Sequence, residues 1–439
     1  MKFSMKTTFW SAALVLASVA TTGEAWANKL LAPETGIYHG AFADLPDLAA
    51  SSVVQQRTTQ FETLAGKNIV WSILADHWLS GITFPAQRIS AVHRAGRIPL
   101  VHLMPWSLRR RGFQADSIYT FNRMLSGYFD FEIRQWARDA KATRRPIIVD
   151  FAPEPNGDWY PWSGALNGGD ETTGYGDPDL ADGPEKYRDI YRRVVNIFKA
   201  EGASNVTFFF HVVSGNKPDL PWNTMSAYYP GDEFVDWIGV SVYSAQFRGD
   251  FWEDFSESMD VAYPELAALS ADKPLAILEL GIIEDENRSF RKADWIIDAF
   301  ASLKEGRYPR VHGVSYWHES AWAVDGNNNM RIDSSQESLA AYRDEIADPL
   351  FLATPVLSGG GNPGGGDDTK CKCGITNTRY GQTCGVQRPQ TQINAGQPRF
   401  LVESSANFTC GTEQQCLQNY GEYLRSASWC PNGWVLVND

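Results

Sequence analysis

Pro146-Ile147-Ile148-Val149-Asp150-Phe151-Ala152-Pro153-Glu154-Pro155-Asn156-Gly157-Asp158-Trp159-Tyr160-Pro161-Trp162 is the stretch from which the fold can be read. Its first four residues form a short apolar, β-branched run of the kind that makes a buried strand. Asn156, Gly157 and a cluster of aromatics follow, so Glu154 stands at the strand's C-terminal end. Barrel enzymes keep their reactive groups at that end. Aromatic faces beside a carboxylate suit a sugar ring, whose apolar faces stack and whose hydroxyls need polar partners. The plainer reading of Glu154 is a solvated side chain on a surface turn.

Seven further apolar or β-branched runs flank this one, at residues 36–41, 68–73, 98–103, 206–211, 237–242, 275–279 and 313–317. Helix-length segments separate them. Residues 184–200 carry Tyr187, Ile190, Tyr191, Val194, Val195 and Phe198 at helical spacing, with charged residues between. Residues 294–303 repeat the pattern. Strands alternating with helices over about 310 residues predict an α/β chain folded as a (β/α)8 TIM barrel. An open doubly wound sheet is the alternative. It is weakened because no glycine-rich dinucleotide fingerprint follows the first run.

The chain has 439 residues, which suits a large barrel with an appendage. Hydrophobic residues make up 43% and supply a sizeable core. Sixteen tryptophans are an excess that carbohydrate-binding clefts use, although many belong in a core. A formal net charge of -13 argues against nucleic acid and anionic membranes as partners. Residues 1–27 read as a secretory signal: Lys2 and Lys6, a short apolar stretch, then Ala25-Trp26-Ala27 as a cleavage site. The stretch is too short for a retained span, no cysteine follows the cleavage site, and no later segment looks transmembrane. The expected localisation is therefore secreted, extracellular or periplasmic. No signal sets an oligomeric state.

The barrel is expected over residues 28–347, followed by a Gly-rich linker at 348–369 and a small module at 370–439. All six cysteines, Cys371, Cys373, Cys384, Cys410, Cys416 and Cys430, fall in that module. A disulfide-rich C-terminal module is expected, since so small a unit buries little core. Zinc is the rival reading, weakened by the Cys-x-Cys spacing and the lack of histidine there. Trp429, Trp434, Tyr420 and Tyr423 are candidates for sugar stacking or for filling the module's core.

Glycosidic bonds are usually hydrolysed by two carboxyl groups, one protonated and one ionised. A barrel can supply them from different strand ends. Glu154 follows the fourth run. Glu279, in Leu275-Ala276-Ile277-Leu278-Glu279-Leu280-Gly281, ends the seventh. A glutamate closing an apolar run is an unusual core residue unless it is paired. Its plain role is a capping or salt-bridging carboxylate.

The chain resembles glycoside hydrolase family 26, which holds β-mannanases with some mixed-linkage β-glucanases and β-1,3-xylanases. The resemblance spans residues 36–345 and rests on residues 154–162, 187–198, 201–207, 229–240 and 279–281. It implies a retaining mechanism with Glu154 as acid/base and Glu279 as nucleophile. Tyr243 matches the family's tyrosine near the nucleophile, and Trp317 the tryptophan that forms a floor under the reacting sugar. Three positions depart from the family. Pro153 and Pro155 stand where His and Met are usual, and Asp150 stands where Arg is usual. An arginine that would help keep the nucleophile ionised is thereby replaced by an acid. Asp150 is expected to pair with an arginine or lysine.

Other polar and aromatic residues fall at strand ends. His102 and Trp106 follow the third run, Asp76-His77-Trp78 the second, and His318-Glu319 the eighth; His211 closes the fifth. With Asn156, Trp159 and Trp162 they are candidates to line sugar subsites, against a structural role for each histidine. No spacing resembles a metal triad, and the implied mechanism uses no metal or cofactor. The sequence therefore predicts a retaining endo-β-glycanase acting on a polysaccharide. β-1,4-Mannan leads narrowly over mixed-linkage β-glucan and β-1,3-xylan. A non-catalytic polysaccharide-binding protein on a hydrolase scaffold is the alternative from another class.

Overall fold

The computed structural model describes residues 28–46, 49–107, 114–285, 291–320 and 328–358, with four further strands at 371–378, 381–387, 400–402 and 434–438. The expected leader and, in the C-terminal module, Cys410, Cys416, Cys430, Tyr420, Tyr423 and Trp429 lie outside the described residues.

All eight apolar runs form strands: β1 (Ile37–Ala43), β2 (Trp71–His77), β3 (Ile98–Met104), β4 (Ile147–Phe151), β5 (Val206–Val213), β6 (Trp237–Tyr243), β7 (Leu275–Gly281) and β8 (Val311–His318). They pair in parallel in chain order, and β1 also pairs with β8, so the sheet closes. The main helices that follow the strands are α1 (Ser51–Ala65), α2 (Ala86–Arg94), α3 (Asp130–Ala142), α4 (Asp182–Glu201), α5 (Met225–Tyr228), α6 (Phe255–Leu269), α7 (Arg291–Lys304) and α8 (Gln336–Ile346), with a further short helix at Phe121–Leu125. Helix α4 buries the predicted stripe of Tyr187, Ile190, Tyr191, Val194, Val195 and Phe198. It ends at Gly202, whose φ of 70° suits a left-handed cap.

Alternation along β5 shows how the sequence stacks the barrel. Phe208 and Phe210 point outward and meet Phe198 and Tyr187 of α4, with ring centroids 5.1 and 6.4 Å apart. Thr207, Phe209 and His211 point inward at successive levels. Thr207 Oγ1 accepts the Leu30 N–H at 2.8 Å near the N-terminal end. Phe209 stacks on Trp237 at 5.3 Å and meets the edge of Trp71 at 6.3 Å. Tyr38 packs on both tryptophans. These rings fill the lower barrel. Two neighbours of Trp71 must be glycine: a Cβ on Gly40 would lie 2.2 Å from its Nε1, and one on Gly313 2.5 Å from its ring.

The barrel domain extends past the expected boundary at Ala347. Phe351–Leu352 adds in parallel beside β1, and Val356–Leu357 pairs antiparallel with Leu30–Leu31. Phe351 and Leu357 are buried, and the Ser358 N–H donates to Lys29 O at 3.0 Å. Residues 348–358 therefore tie the start of the domain to its end; the glycine-rich composition that suggested a linker begins only after Ser358. In the tail, the four described strands form one sheet in the order Phe400–Val402, Gly381–Gln387, Cys371–Thr378, Trp434–Asn438. No helix among the described residues is long and apolar enough to cross a membrane.

Candidate active site

Glu154 sits on a strained turn directly after β4. Ala152 and Glu154 have φ of 49° and 55°. Each precedes a proline, and a proline ring disfavours the right-handed helical conformation for the residue before it. Left-handed backbone costs a non-glycine residue about 1–2 kcal/mol, so the neighbours must over-determine it. They do so with hydrogen bonds. Ala152 N–H donates to Leu103 O at 3.1 Å, and Glu154 N–H to His211 O at 2.9 Å. Tyr187 donates to the carbonyls of Phe151 and Ala152, and Trp162 Nε1–H to Pro153 O at 2.7 Å. The turn aims the Glu154 side chain at Trp159, whose Nε1–H donates to Oε2 at 2.9 Å.

Glu279 comes from β7, on the opposite side of the barrel mouth. Tyr243, at the end of β6, donates its hydroxyl to Glu279 Oε2 at 2.6 Å. His102 Nδ1 lies 3.7 Å from the other oxygen. Both carboxylates are nearly buried, Glu154 at 4% exposure and Glu279 at 6%. Below them runs a belt of inward side chains from β3 to β6. Asp150 Oδ2 is 3.4 Å from His102 Nε2 and 2.7 Å from His211 Nδ1, and His211 Nε2 is 2.8 Å from Ser241 Oγ.

Burial, followed by the Glu154 charge, pushes Glu279 up to about 8, while His211 and the Tyr243 hydroxyl work to hold it down. The pair thus takes up a proton more readily than carboxylates in water, as two like charges in one dry site must. Tyr243 is raised well above its ordinary value by burial and by Glu279, so it keeps its proton and donates. Burial, the strongest influence on His211, acts to lower it. Asp150, Glu279 and Glu154 together outweigh burial and hold it up at about 9. His102 falls to about 4 through burial, despite Asp150. The two neighbouring imidazoles are thus pushed in opposite directions. His102, His211 and Glu279 bring ligand atoms within 4.8 Å of one another. Both His211 nitrogens are already hydrogen-bonded, so the geometry is that of a proton-bearing network, and a metal would have to break it.

The structure brings Glu154, Trp159, Tyr243, Glu279 and Trp317 around one opening. Trp317 is held flat by stacking on Phe42 at 4.1 Å and 8°, and its Nε1–H donates to Glu319 Oε2 at 2.8 Å. Trp159, Tyr243 and Trp317 each stay partly exposed. Other candidates are withdrawn from that surface. Asn156 is fully buried: Nδ2 donates to Val213 O and Asn216 Oδ1, and Oδ1 accepts the Val213 N–H, so it fastens the Glu154 turn to β5. Trp162 and Trp78 are each 1% exposed. Trp162 stacks under Tyr160 at 4.5 Å, and Trp78 packs against Tyr119 at 5.0 Å. Trp106 is buried between Tyr160, Trp162 and His77. For these four, support replaces the expected sugar contact. His102 and His211 lie in the belt beneath the carboxylates. The expected arginine or lysine partner of Asp150 is also corrected: among the described residues its ion-pair partners are His102 and His211.

Sequence reasoning missed Ser241, Asn223 and Tyr160. Ser241 lies two residues before Tyr243 on β6, so strand alternation alone would have placed it on the same inward face. Asn223 Nδ2 donates to Asn156 O at 2.9 Å from a loop without a local signal.

Residues 115–301 match the model of glycosyl hydrolase family 26. Endoglucanase H of Acetivibrio thermocellus is 29% identical over 289 residues, covering 65% of this chain and 28% of that protein. Mannan endo-1,4-beta-mannosidase A and B of Caldalkalibacillus mannanilyticus is 27% identical over 202 residues, covering 46% of this chain and 33% of that protein. The chain thus spans a third or less of the length of these relatives. GH26C from Muricauda sp. MAR_2010_75 superposes with a TM-score of 0.50 at 14% identity, covering 72% of this chain and 87% of that one, a likeness of fold. The segment that matches glycosyl hydrolase family 26 encloses both Glu154 and Glu279 and lies on a closed eight-stranded barrel.

Proposed function

We propose that this protein is a retaining endo-β-glycanase that hydrolyses a β-linked polysaccharide. The observation that carries the reading is the pair of buried carboxylates at the ends of β4 and β7, beside the flat face of Trp317. Glu154 is the acid/base. It protonates the leaving oxygen, then takes a proton from the water that releases the product. Glu279 is the nucleophile and forms the glycosyl–enzyme intermediate. Trp159 orients Glu154, and Tyr243 orients Glu279, each through one hydrogen bond. No step draws on a metal.

β-1,4-Mannan is the leading substrate, supported by the mannosidase relative. Mixed-linkage β-glucan is the second reading, favoured by the endoglucanase relative, which aligns over the longer stretch. The leader expected at residues 1–27 supports secretion of the enzyme, and the six cysteines of residues 370–439 support a disulfide-bonded module whose aromatics either stack on sugars or fill its small core. Release of reducing ends from mannan, lichenan and β-1,3-xylan tests the substrate. Cleavage of mannan foremost supports the reading, cleavage of lichenan alone moves it to the second, and cleavage of none removes it.

A further inference from the structure

Three buried acids, Asp150, Glu154 and Glu279, act on one another, and His102 lies 3.4 Å from Asp150 and 3.7 Å from Glu279. Two imidazoles separate them. Among the described residues, none of the three acids has an arginine or lysine ion-pair partner. Ionised carboxylates that close would repel one another strongly unless a cation sat among them. We propose that Asp150 and Ser241 hold His211 as a buried imidazolium, and that this cation favours the ionised form of Glu279 that attacks, against the burial and the neighbouring acids that oppose it. The proposal rests on the reading of Glu279 as the nucleophile.

The geometry assigns the protons. An ionised carboxylate only accepts hydrogen bonds, so His211 Nδ1 donates to Asp150 Oδ2. The separation of 2.7 Å is that of a charge-assisted bond. The second nitrogen faces Ser241 Oγ at 2.8 Å, and a hydroxyl accepts the second N–H of an imidazolium. Ser241 stands opposite Glu279 in the β6–β7 register, so only the strand carrying Ser241 separates the cation on β5 from the nucleophile on β7. The groups around His211 are His102 from β3, Asp150 from β4, Glu154 from the turn after β4, Ser241 from β6 and Glu279 from β7. His102 cannot be the cation, because burial and the His211 charge both act against its protonation. At Glu279, the attraction of His211 outweighs the repulsion of Asp150. Losing both charges together therefore raises Glu279. Neither Asp150 nor His211 reaches the opening; both are fully buried, and both are positioning residues.

The test is NMR titration of the histidine ring nitrogens and of the Glu279 carboxyl carbon, in the wild type and in Asp150→Asn, His211→Gln and Ser241→Ala. pH profiles of kcat and KM on the polysaccharide accompany it. His211 should remain an imidazolium at pH 7 in the wild type and lose its proton in Asp150→Asn. In His211→Gln the Glu279 titration should move up, taking the acid limb of kcat with it. Each unit of that movement lowers kcat on the limb about tenfold while KM changes little. Ser241→Ala, the mildest change, should give a smaller shift in the same direction. A neutral His211 at pH 7 in the wild type, or a Glu279 titration unmoved in His211→Gln, overturns the proposal. The two failures are separable. NMR reads the charges without turnover, whereas an inactive wild type with intact shifts rejects only the hydrolase reading.

Discussion

The two ends of the barrel interior are built from the same strands and solve opposite problems. At the N-terminal end, Tyr38, Trp71, Phe209 and Trp237 pack ring against ring. Their polar atoms are satisfied: Trp71 Nε1–H donates to Ser315 Oγ at 2.7 Å, and Trp237 Nε1–H to Leu30 O at 3.2 Å. Two residues further along β5, Phe209 gives way to His211, and the interior turns from aromatic to ionic. Here Asp150 Oδ1 is buried with no hydrogen-bond partner among the described residues, and Glu154 sits on strained backbone. The difference shows where stability comes from. Dense apolar packing below supports a layer above whose charges and strain would not persist alone.

Substitutions at each end should separate these roles. The largest effect belongs to Glu279→Ala, expected to lower turnover roughly 10⁴-fold or more, because no covalent intermediate can form. Its melting temperature at pH 7 should match or exceed that of the wild type, because burial resists ionisation of Glu279. Glu154→Ala should be crippled on polysaccharide yet keep turnover on glycosides with acidic leaving groups, which need little protonation. Trp71→Ala reverses the pattern, with a loss of about 3–5 kcal/mol in denaturant unfolding as the plug loses its central ring. Gly40→Ala should cost about 1–3 kcal/mol, since its Cβ would meet Trp71 Nε1 at 2.2 Å. A Trp71→Ala protein as stable as the wild type would break the comparison.

The pH response sharpens it. His211 is raised to about 9, so its contribution is complete below its ordinary value near 6.5 and lost as pH rises through 9. Glu279 is raised to about 8, so its contribution is complete below its ordinary value near 4.5 and also lost as pH rises through 8. Both effects weaken the upper layer between pH 4.5 and 9. Melting temperatures of the wild type should fall more steeply over that window than those of a His211→Gln, Glu279→Gln double variant. Parallel curves would contradict the assigned charges. The smallest effect is at Ala152, where glycine relieves the φ of 49° while giving up one buried methyl. Unfolding free energy should change by no more than about 1 kcal/mol.

Strand alternation and apolar runs made the barrel legible in the sequence, because each strand's burial is written in consecutive residues. Glu154 and Glu279 were legible for the same reason: each is a carboxylate at the end of such a run. Partner choice was not. Asp150 was expected to find an arginine or lysine, yet its cation comes from β5 two strand positions beyond Phe209, across a register that no local pattern encodes. Asn156, Trp78 and Trp162 share the composition of a sugar cleft, and only their depth shows that they brace it. The edge at residues 348–358 was misread because short strands paired with distant residues carry little local signal.

The assignment of Glu279 as nucleophile is tested most directly by trapping. The enzyme is incubated with a 2-fluoro glycoside of the preferred sugar carrying a good leaving group, then measured by intact mass and peptide mapping. A single glycosyl adduct on the peptide containing Glu279, absent from Glu279→Ala, is the predicted result. An adduct on Glu154, or steady hydrolysis by Glu279→Ala with no adduct formed, would contradict it.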